Sequence, residues 1–182
     1  MTESISDDQL AQQARANAEA FAELYRRHVT RVYRYHLAHT GNVKDAEDLT
    51  SQTFLAALEG LRSFRRDGSF AAWLMGIASR RRALFFRGHQ HEVPLDAALN
   101  IPAGPPTDKS AMLRIQIESI ARALRRISPE RAEAVTLVHF SGLTYAEAAH
   151  LLGKTEAAVK MLVSRGLTDL RERTSLALEV EK

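Results

Sequence analysis

Two cationic residues near the C-terminal end of the chain, Lys160 and Arg165, carry the clearest indication of chemistry. Together with Ser164 they lie on the outward side of a predicted helix, opposite the apolar Val159 and Leu162. Lysine and arginine side chains on such a helix can contact guanine bases when the helix lies in the DNA major groove. The pattern therefore predicts a DNA-binding helix.

The residues before this helix supply the other parts of a helix-turn-helix. Thr144 and Glu147 have the spacing of a capping box. Gly153 allows a turn conformation that a side chain would disfavour, and Thr155 is placed to cap the second helix. Ala149 is small at the point where two helices must cross. A plain helical hairpin has the same features, so this stretch alone leaves that alternative open.

Charge is unevenly distributed in the first half of the chain. Seven arginines and a single acid occur between residues 62 and 87; the arginines are Arg62, Arg65, Arg66, Arg80, Arg81, Arg82 and Arg87. An acidic stretch comes just before them and contains Asp45, Glu47, Asp48 and Glu59. A basic segment beside an acidic one indicates two different partners, or two faces of one assembly.

Composition limits the class of protein. The 182 residues are 45% hydrophobic, which is enough for a buried core, and carry a formal net charge of +3. Because there is no cysteine, disulfides and thiolate metal sites are excluded. No apolar run approaches the ~20 residues that span a bilayer, and the N-terminus is polar and acidic, unlike a signal peptide. We therefore expect a cytoplasmic protein that does not engage a membrane.

The fold predicted from these patterns is all-α. Apolar residues recur at helical spacing over residues 17–39, 45–61, 70–86, 110–126 and 129–140. Four prolines between residues 89 and 109 exclude a continuous helix there and indicate a linker. We expect two small helical domains, the second ending in the helix-turn-helix. Their bounds are an N-terminal segment 1–16, domains 17–88 and 110–174 on either side of the linker 89–109, and a frayed tail 175–182.

Three motifs occur in order along this architecture. They are DAEDLTSQTFLAAL at 45–58, FRRDGSFAAWLMGIASRR at 64–81 and SPERAEAVTLVHFSGLTYAEAAHLLGKTEAAVK at 128–160. In this order and spacing the chain resembles bacterial sigma factors of the extracytoplasmic-function group, group 4 of the sigma-70 family, over residues 18 to 173. The resemblance implies a non-enzymatic subunit of RNA polymerase. Its first domain would bind core polymerase and melt the promoter −10 element, and its second domain would recognise the −35 element.

For the acidic helix, the resemblance implies docking on the clamp helices of the largest polymerase subunit. The residues implied are Asp45, Glu47, Asp48, Ser51 and Gln52. An acidic face suits a basic protein surface, whereas DNA phosphates would repel it. Without the surrounding motifs, a solvated acidic face would be the expectation. Ser51 and Gln52 stand where the family usually has Gln and Glu, which weakens or alters the docking surface.

For the arginine-rich segment, the resemblance implies contact with the melted −10 strand. The residues implied are Arg65, Arg66, Asp67, Gly68, Ser69, Phe70, Arg80, Arg81, Arg82 and Arg87. Extruding a base costs a few kcal/mol, which a pocket, stacking faces and positive charge offset. Arg80 occupies a position that is often Asn in the family, and Leu84 replaces a frequent Asp, so we expect an unusual −10 preference. Trp73 lies at helical spacing with Phe70 and Leu74, which favours a core position over a stacking role.

For the helix-turn-helix, the resemblance implies −35 contacts by Lys154, Thr155, Lys160, Met161, Ser164 and Arg165. Leu162 and Leu167 stand where the family often has arginine, and Lys154 stands where it usually has an apolar residue. The helix is therefore less cationic than usual, and we expect weak DNA affinity from this domain alone.

Two other classes of protein remain open. One is a stand-alone helix-turn-helix regulator that does not join polymerase. The other is a helical protein-interaction module, which is compatible with a sigma factor because many members of the family are held inactive by an anti-sigma protein. A compact His/Glu cluster at 89–92 has no further ligand at a fixed spacing, so we expect no metal site. We also expect no cofactor.

Overall fold

All regular structure in the described residues is helical, as the sequence predicts. The computed structural model describes residues 5–65, 69–89 and 108–180. Eight α-helices are present there: α1 (Asp7–Gln13), α2 (Ala18–Thr40), α3 (Val43–Gly60), α4 (Phe70–His89), α5 (Asp108–Arg125), α6 (Pro129–Val135), α7 (Tyr145–Leu152) and α8 (Glu156–Val180). A 3-10 turn, Leu61–Ser63, follows α3, and a π-helical turn, Thr136–Phe140, follows α6. None of the helices in these ranges combines the length and apolar character needed to cross a lipid bilayer.

Local sequence signals account for the helix ends. The side chains of Asn17 and Asn42 accept hydrogen bonds from the first turns of α2 and α3. Between these two helices, Gly41 adopts a left-handed conformation with φ of 69°. Ser128 caps α6, and Pro129 occupies its first turn, where the missing N–H costs nothing.

The structure differs from the sequence-based prediction at both ends of the chain. No helix was assigned to the N-terminal segment 1–16, yet it contains α1, which begins with a capping box formed by Ser6 and Gln9. A helix this short needs tertiary packing, which the buried Leu10 and Ala11 provide. At the other end, α8 continues to Val180, past residue 175 where fraying was predicted.

The segments on either side of residues 90–107 share one apolar core. Helix α2 packs against α1, α3, α4 and α5. Buried residues from the first segment, among them Leu24, Val32 and Leu74, belong to the same cluster as Leu137 and Val159 from the second. The two segments therefore pack directly against each other.

A buried carboxylate, Glu133, joins the two segments through polar contacts. It accepts hydrogen bonds from the Tyr35 hydroxyl at 2.8 Å and from the Ser79 hydroxyl at 2.8 Å. The Arg82 guanidinium pairs with it at 2.8 Å. Burial, together with the nearby Glu133 charge, raises the pKa of Tyr35 well above its usual value. The Tyr35 hydroxyl therefore stays protonated and remains a hydrogen-bond donor.

Three buried histidines make the stability of the fold depend on pH. Burial, and secondarily the Arg82 charge, lowers the pKa of His36 from 6.5 to about 3. Burial also lowers the pKa of His28 and of His39. The folded state therefore holds neutral imidazoles that the unfolded chain protonates below pH 6.5. Their stabilising contribution is complete above pH 6.5 and is lost as the pH falls toward the folded-state pKa.

We expect His36 alone to lower the free energy of unfolding by about 2 kcal/mol between pH 7 and pH 5. In the variant His36→Gln this part of the pH dependence should disappear, although stability at pH 7 also falls. Urea unfolding at a series of pH values measures the slope. The exposed His139, changed to Gln, is the matched control. An unchanged pH slope in His36→Gln would contradict the prediction.

Candidate nucleic-acid and protein interfaces

One face of α3 combines acidic, polar and apolar side chains in solvent. Glu47, Asp48, Ser51 and Gln52 are exposed, as expected for a docking surface, whereas Asp45 is half-buried. The backbone N–H of Asp45 donates to the side chain of Asn42, the cap of the helix, at 3.1 Å. The predicted residues thus lie together on the first half of α3.

Two leucines extend this face of α3 and were missed as candidate site residues. Leu55 is 59% exposed and Leu58 is 48% exposed, although both are among the apolar residues that predicted the helix over 45–61. The helical spacing could have placed Leu55 on this exposed face, because Asp48, Gln52 and Leu55 recur at intervals of four and three residues. We call Glu47, Asp48, Ser51, Gln52, Leu55 and Leu58 the α3 face. A polar surface with an apolar centre is typical of a protein interface.

A cleft of about 300 Å³ lies beside the start of α4. Arg65 and Ser69, which precede α4, and Trp73 and Arg80 of α4 line one side of it. The opposite wall comes from α7, which contributes His150 and Leu151. The cleft thus combines two arginines with an aromatic ring, which suits a nucleic-acid base and its phosphate. We call it the α4 cleft.

Trp73 contributes to both the core and the cleft. Its ring lies 5.4 Å from that of Phe64 and 5.5 Å from that of Phe70, so it packs on the core as predicted. It is nevertheless only partly buried, and its remaining surface lines the α4 cleft. The helical spacing identified its packing partners but did not reveal that part of the side chain stays exposed.

Two residues predicted to contact DNA are turned inward. Phe70 is 1% exposed and belongs to the apolar core, so the prediction of a direct strand contact is corrected. Arg82 was also predicted to line the strand, but its guanidinium pairs with the buried Glu133 and lies 5.8 Å from the centre of the Tyr35 ring. The Phe70 ring packs against His28 of α2 and against Phe64, whereas Arg82 points toward Tyr35 of α2 and Glu133 of α6.

The other predicted −10 residues divide into three groups. Arg65, Arg80 and Arg87 are exposed, and Arg81 is half-buried. Ser69 caps α4, because its hydroxyl accepts from the backbone N–H of Ala72 at 3.1 Å. Residues 66–68, namely Arg66, Asp67 and Gly68, lie outside the described residues.

Glu147 links the start of α4 to the helix-turn-helix. Its carboxylate accepts from the Ser69 hydroxyl and completes the capping box with Thr144, whose backbone N–H donates at 2.8 Å. Burial alone would raise the pKa of Glu147, but the hydrogen bonds from Ser69 and Thr144 outweigh it and lower that pKa. The carboxylate is therefore ionised at neutral pH, both as the acceptor for Ser69 and as the capping-box partner of Thr144.

The helix-turn-helix has the predicted local geometry. The Thr144 hydroxyl accepts from the backbone N–H of Glu147 at 3.2 Å. Gly153 is left-handed with φ of 63° and ends α7. The Thr155 hydroxyl accepts from the backbone N–H of Ala158 at 3.2 Å, which caps α8. Val159 is 0% exposed, as predicted, and Leu162 is half-buried.

The packing of α8 on α6 depends on a small residue that sequence reasoning did not single out. Gly166 is buried, and a Cβ placed there would come within 2.7 Å of the Val135 side chain. The ion pair between Arg131 and Asp169, at 2.6 Å, spans the same contact. Together they fix which side of α8 faces solvent.

That solvent side carries the predicted −35 residues. Lys160, Met161, Ser164 and Arg165 are all exposed and share one face of α8. We call these four residues the α8 face. The Lys160 ammonium pairs with Glu156 at 2.7 Å, which raises the pKa of Lys160.

The two remaining −35 candidates lie at the turn between α7 and α8. Thr155 is exposed, and Lys154 is half-buried and pairs with Glu130 of α6 at 3.0 Å. The −35 candidates thus lie together on one side of the helix-turn-helix. If this side binds DNA, the ammonium groups of Lys154 and Lys160 would leave the carboxylates of Glu130 and Glu156 and contact the DNA instead.

No group of three or more histidines and carboxylates suited to a metal ion occurs in the part of the chain that the structure describes. The side chains of the His/Glu cluster at 89–92 are not among those that the structure describes.

Comparison with known proteins adds independent information. The profile of the Sigma-70 region 2 family matches residues 24–92, and the profile of Sigma-70 region 4 matches residues 117–170. The RNA polymerase sigma factor CarQ of Myxococcus xanthus is 31% identical over 169 residues, which cover 90% of this chain and 95% of CarQ. The chain belongs to the sigma-70 family of RNA polymerase sigma factors. We therefore refer to the two matched segments as region 2 and region 4.

Other relatives carry the name of the extracytoplasmic-function (ECF) group. The ECF RNA polymerase sigma factor BldN of Streptomyces coelicolor is 35% identical over 89% of this chain. SigE of Mycolicibacterium smegmatis, also named an ECF sigma factor, is 32% identical over 82% of this chain. The matches span 63% of BldN and 60% of SigE.

Two solved structures share the fold. CnrH, in complex with the cytosolic domain of CnrY, superimposes with a TM-score of 0.73 at 24% identity, covering 97% of this chain and 99% of CnrH. RpoE from Bartonella quintana, in complex with the anti-sigma factor NepR, gives a TM-score of 0.63 at 23% identity, covering 84% of this chain and 94% of RpoE. At these identities the comparison shows a shared all-helical fold.

Proposed function

We propose that this protein is a sigma factor that binds core RNA polymerase and directs it to selected promoters. In this proposal region 2 docks on the polymerase and captures the melted −10 strand, and region 4 recognises the −35 element. The observation that carries the proposal is the presence of three distinct surfaces in the order expected for the family. They are the α3 face, the α4 cleft and the α8 face.

The α3 face would contact the largest subunit of the polymerase. Its exposed acidic and amide groups suit a basic surface, and Leu55 and Leu58 supply apolar area that can be buried on docking. Ser51 and Gln52 carry no charge, so the electrostatic attraction falls mainly on Glu47 and Asp48. The apolar part of the surface is then of greater importance in this chain.

The α4 cleft would hold a base from the −10 strand. The exposed part of Trp73 offers an aromatic surface, while Arg65 and Arg80 supply positive charge at the cleft. Stacking a base on an aromatic side chain contributes about 1–3 kcal/mol, which is comparable to the cost of extruding it. This supports nucleation of melting at the cleft. The exposed Arg87 and the half-buried Arg81 would add positive charge along α4.

The alternative function, a stand-alone regulator that does not join polymerase, is not favoured. Relatives that match most of this chain are named RNA polymerase sigma factors. The α3 face also has no role in a protein that binds DNA alone. Two structural neighbours are complexes with the cytosolic domain of CnrY and with the anti-sigma factor NepR. An anti-sigma protein is therefore included in the proposal as a partner.

Run-off transcription tests the proposal. Purified protein is added to core RNA polymerase on promoter fragments from its own genome. We expect defined start sites that are absent with core polymerase alone. Failure to bind core polymerase, or transcription without a defined start, would reject the proposed function.

The α8 face gives a narrower prediction. In the double variant Lys160→Ala/Arg165→Ala, we expect the preference for the native over a scrambled −35 element to fall by about 30-fold or more, since two specific contacts are lost. The reason is that each specific contact discriminates by about 1–3 kcal/mol. Fluorescence anisotropy of the holoenzyme with duplex DNA measures this preference.

The control for the α8 face is Arg122→Ala, which removes an exposed arginine from α5. Core polymerase binding should be unchanged in both proteins. A double variant that loses core binding would contradict the separation of the two surfaces.

A further inference from the structure

Helix α1 lies outside the matched region 2 profile, which begins at residue 24, yet it packs on the start of α4. Its apolar side is formed by Leu10, Ala11 and the following Ala14, all buried in the shared core. Helix α1 contacts both α2 and α4. It is therefore an integral part of the fold next to the α4 cleft.

Two hydrogen bonds hold Phe64 and Phe70. One comes from Arg15, which follows α1, and the other goes to Asp8 within α1. The Arg15 guanidinium donates to the backbone carbonyl of Phe64 at 3.0 Å. The backbone N–H of Phe70 donates to the carboxylate of Asp8 at 3.2 Å. Phe64 immediately precedes Arg65, and Phe70 is the first residue of α4. Both anchors therefore flank residues that line the cleft.

The bond from Phe70 has a particular energetic role. The N–H groups of the first helical turn have no partner within the helix. Ser69 satisfies that of Ala72, and Asp8 satisfies that of Phe70. The carboxylate of Asp8 also lies at the positive end of the α4 dipole, where a negative charge is stabilising.

Neighbouring contacts hold Asp8 in place. The adjacent Asp7 pairs with Arg27 at 2.9 Å and accepts a hydrogen bond from Nε2 of His28 at 2.7 Å. The His28 ring lies edge-on to the Phe70 ring, with 5.3 Å between their centres. Burial alone would raise the pKa of Asp7, but the hydrogen bonds from Arg27 and His28 outweigh it and lower that pKa. The first turn of α1 is thus fixed to α2.

We propose that Asp8 and Arg15 are positioning residues that fix Phe70 and Phe64, the neighbours of the cleft residues Ser69 and Arg65, and thereby preorganise the α4 cleft for the −10 strand. This inference rests on the proposed function of the cleft. Because Arg65 and Ser69 are then already held at the cleft, less conformational entropy is lost when the strand binds. Neither residue touches DNA in this proposal.

Two measurements on the full-length protein test the inference. The first is hydrogen exchange of the Phe70 amide, followed by NMR. The second is the affinity of the holoenzyme for a single-stranded oligonucleotide of the −10 sequence, as defined by the run-off start site. In Asp8→Ala/Arg15→Ala we expect faster exchange at Phe70 and about tenfold weaker binding, with core polymerase affinity unchanged.

Three further variants complete the design. Asp8→Asn retains an oxygen that accepts from Phe70, so it should keep most of the wild-type affinity; a merely destabilised protein would show no such rescue. Gln12→Ala is an exposed control on the same helix. Arg80→Ala removes a cleft residue directly and should weaken oligonucleotide binding without faster exchange at Phe70.

The outcomes separate the two hypotheses. Wild-type exchange at Phe70 in the double variant, or faster exchange with unchanged oligonucleotide affinity, would overturn the positioning role. Wild-type oligonucleotide affinity in Arg80→Ala would instead reject the proposed function of the cleft. Faster exchange together with weaker binding, rescued by Asp8→Asn, would establish the role of α1.

Discussion

Replacing Glu133 by alanine is expected to lower the free energy of unfolding by about 3 kcal/mol. Removing one member of a buried ion pair typically costs about 3–5 kcal/mol, because the remaining partner is left without compensation. Here the Arg82 side chain is 22% exposed and can turn partly toward water, so the lower end of that range applies. The Tyr35 hydroxyl, which is fully buried, loses its acceptor as well.

The neighbouring Glu130 provides the control for this variant. It lies on the same helix, but its side chain is 66% exposed and its partner is Lys154. Exposed ion pairs contribute about 1 kcal/mol or less, so Glu130→Ala should leave stability nearly unchanged. Urea unfolding followed by circular dichroism compares the two variants. Equal effects of both substitutions would show that the buried network does not join region 4 to region 2 energetically.

Reversing the charge of Asp48 is expected to weaken core polymerase binding at least tenfold. In Asp48→Lys a positive side chain would face the basic surface that the proposed docking requires, and like charges across an interface are strongly unfavourable. The remaining charge of the α3 face is small because Ser51 and Gln52 are neutral. One reversal therefore changes a large share of the local potential.

Fluorescence anisotropy of the labelled protein with core polymerase measures this effect, at low and at moderate salt. The loss should shrink as salt screens the repulsion. Glu19→Lys makes the same charge change on α2, at an exposed residue paired with Arg26, and should bind normally. A second variant, Leu55→Ala, should weaken binding at either salt concentration because it removes apolar contact area. Normal binding by Asp48→Lys would argue against docking through α3.

Most of the fold could be predicted because its signals are local. The capping box of Thr144 and Glu147, the left-handed Gly153 and the proline at the start of α6 each depend on a few neighbouring residues. The same local signal was present for α1 at Ser6 and Gln9, but the polar composition of the N-terminal segment obscured it. Short helices are stabilised mainly by packing, which a local pattern does not reveal.

The candidate site was harder to predict because it depends on which side of a helix is covered. Arg82 has the same residue type as Arg80 and lies two positions along α4, yet one pairs with Glu133 and the other lines the cleft. Leu55 and Leu58 matched an apolar pattern but remain exposed. In each case the exposure of the side chain depends on elements distant in sequence, such as α6, which supplies Glu133 to Arg82. Burial then separates residues that the sequence groups together.

The shared apolar core has a consequence for folding cooperativity. Leu24 and Leu74 of region 2 are buried in one cluster with Leu137 and Val159 of region 4, so neither region keeps a complete core without the other. Closing the chain between the two regions adds only a slowly growing entropy cost. We therefore expect the two regions to unfold together as one unit. A partner that separates them must supply the free energy of the apolar surface that becomes exposed.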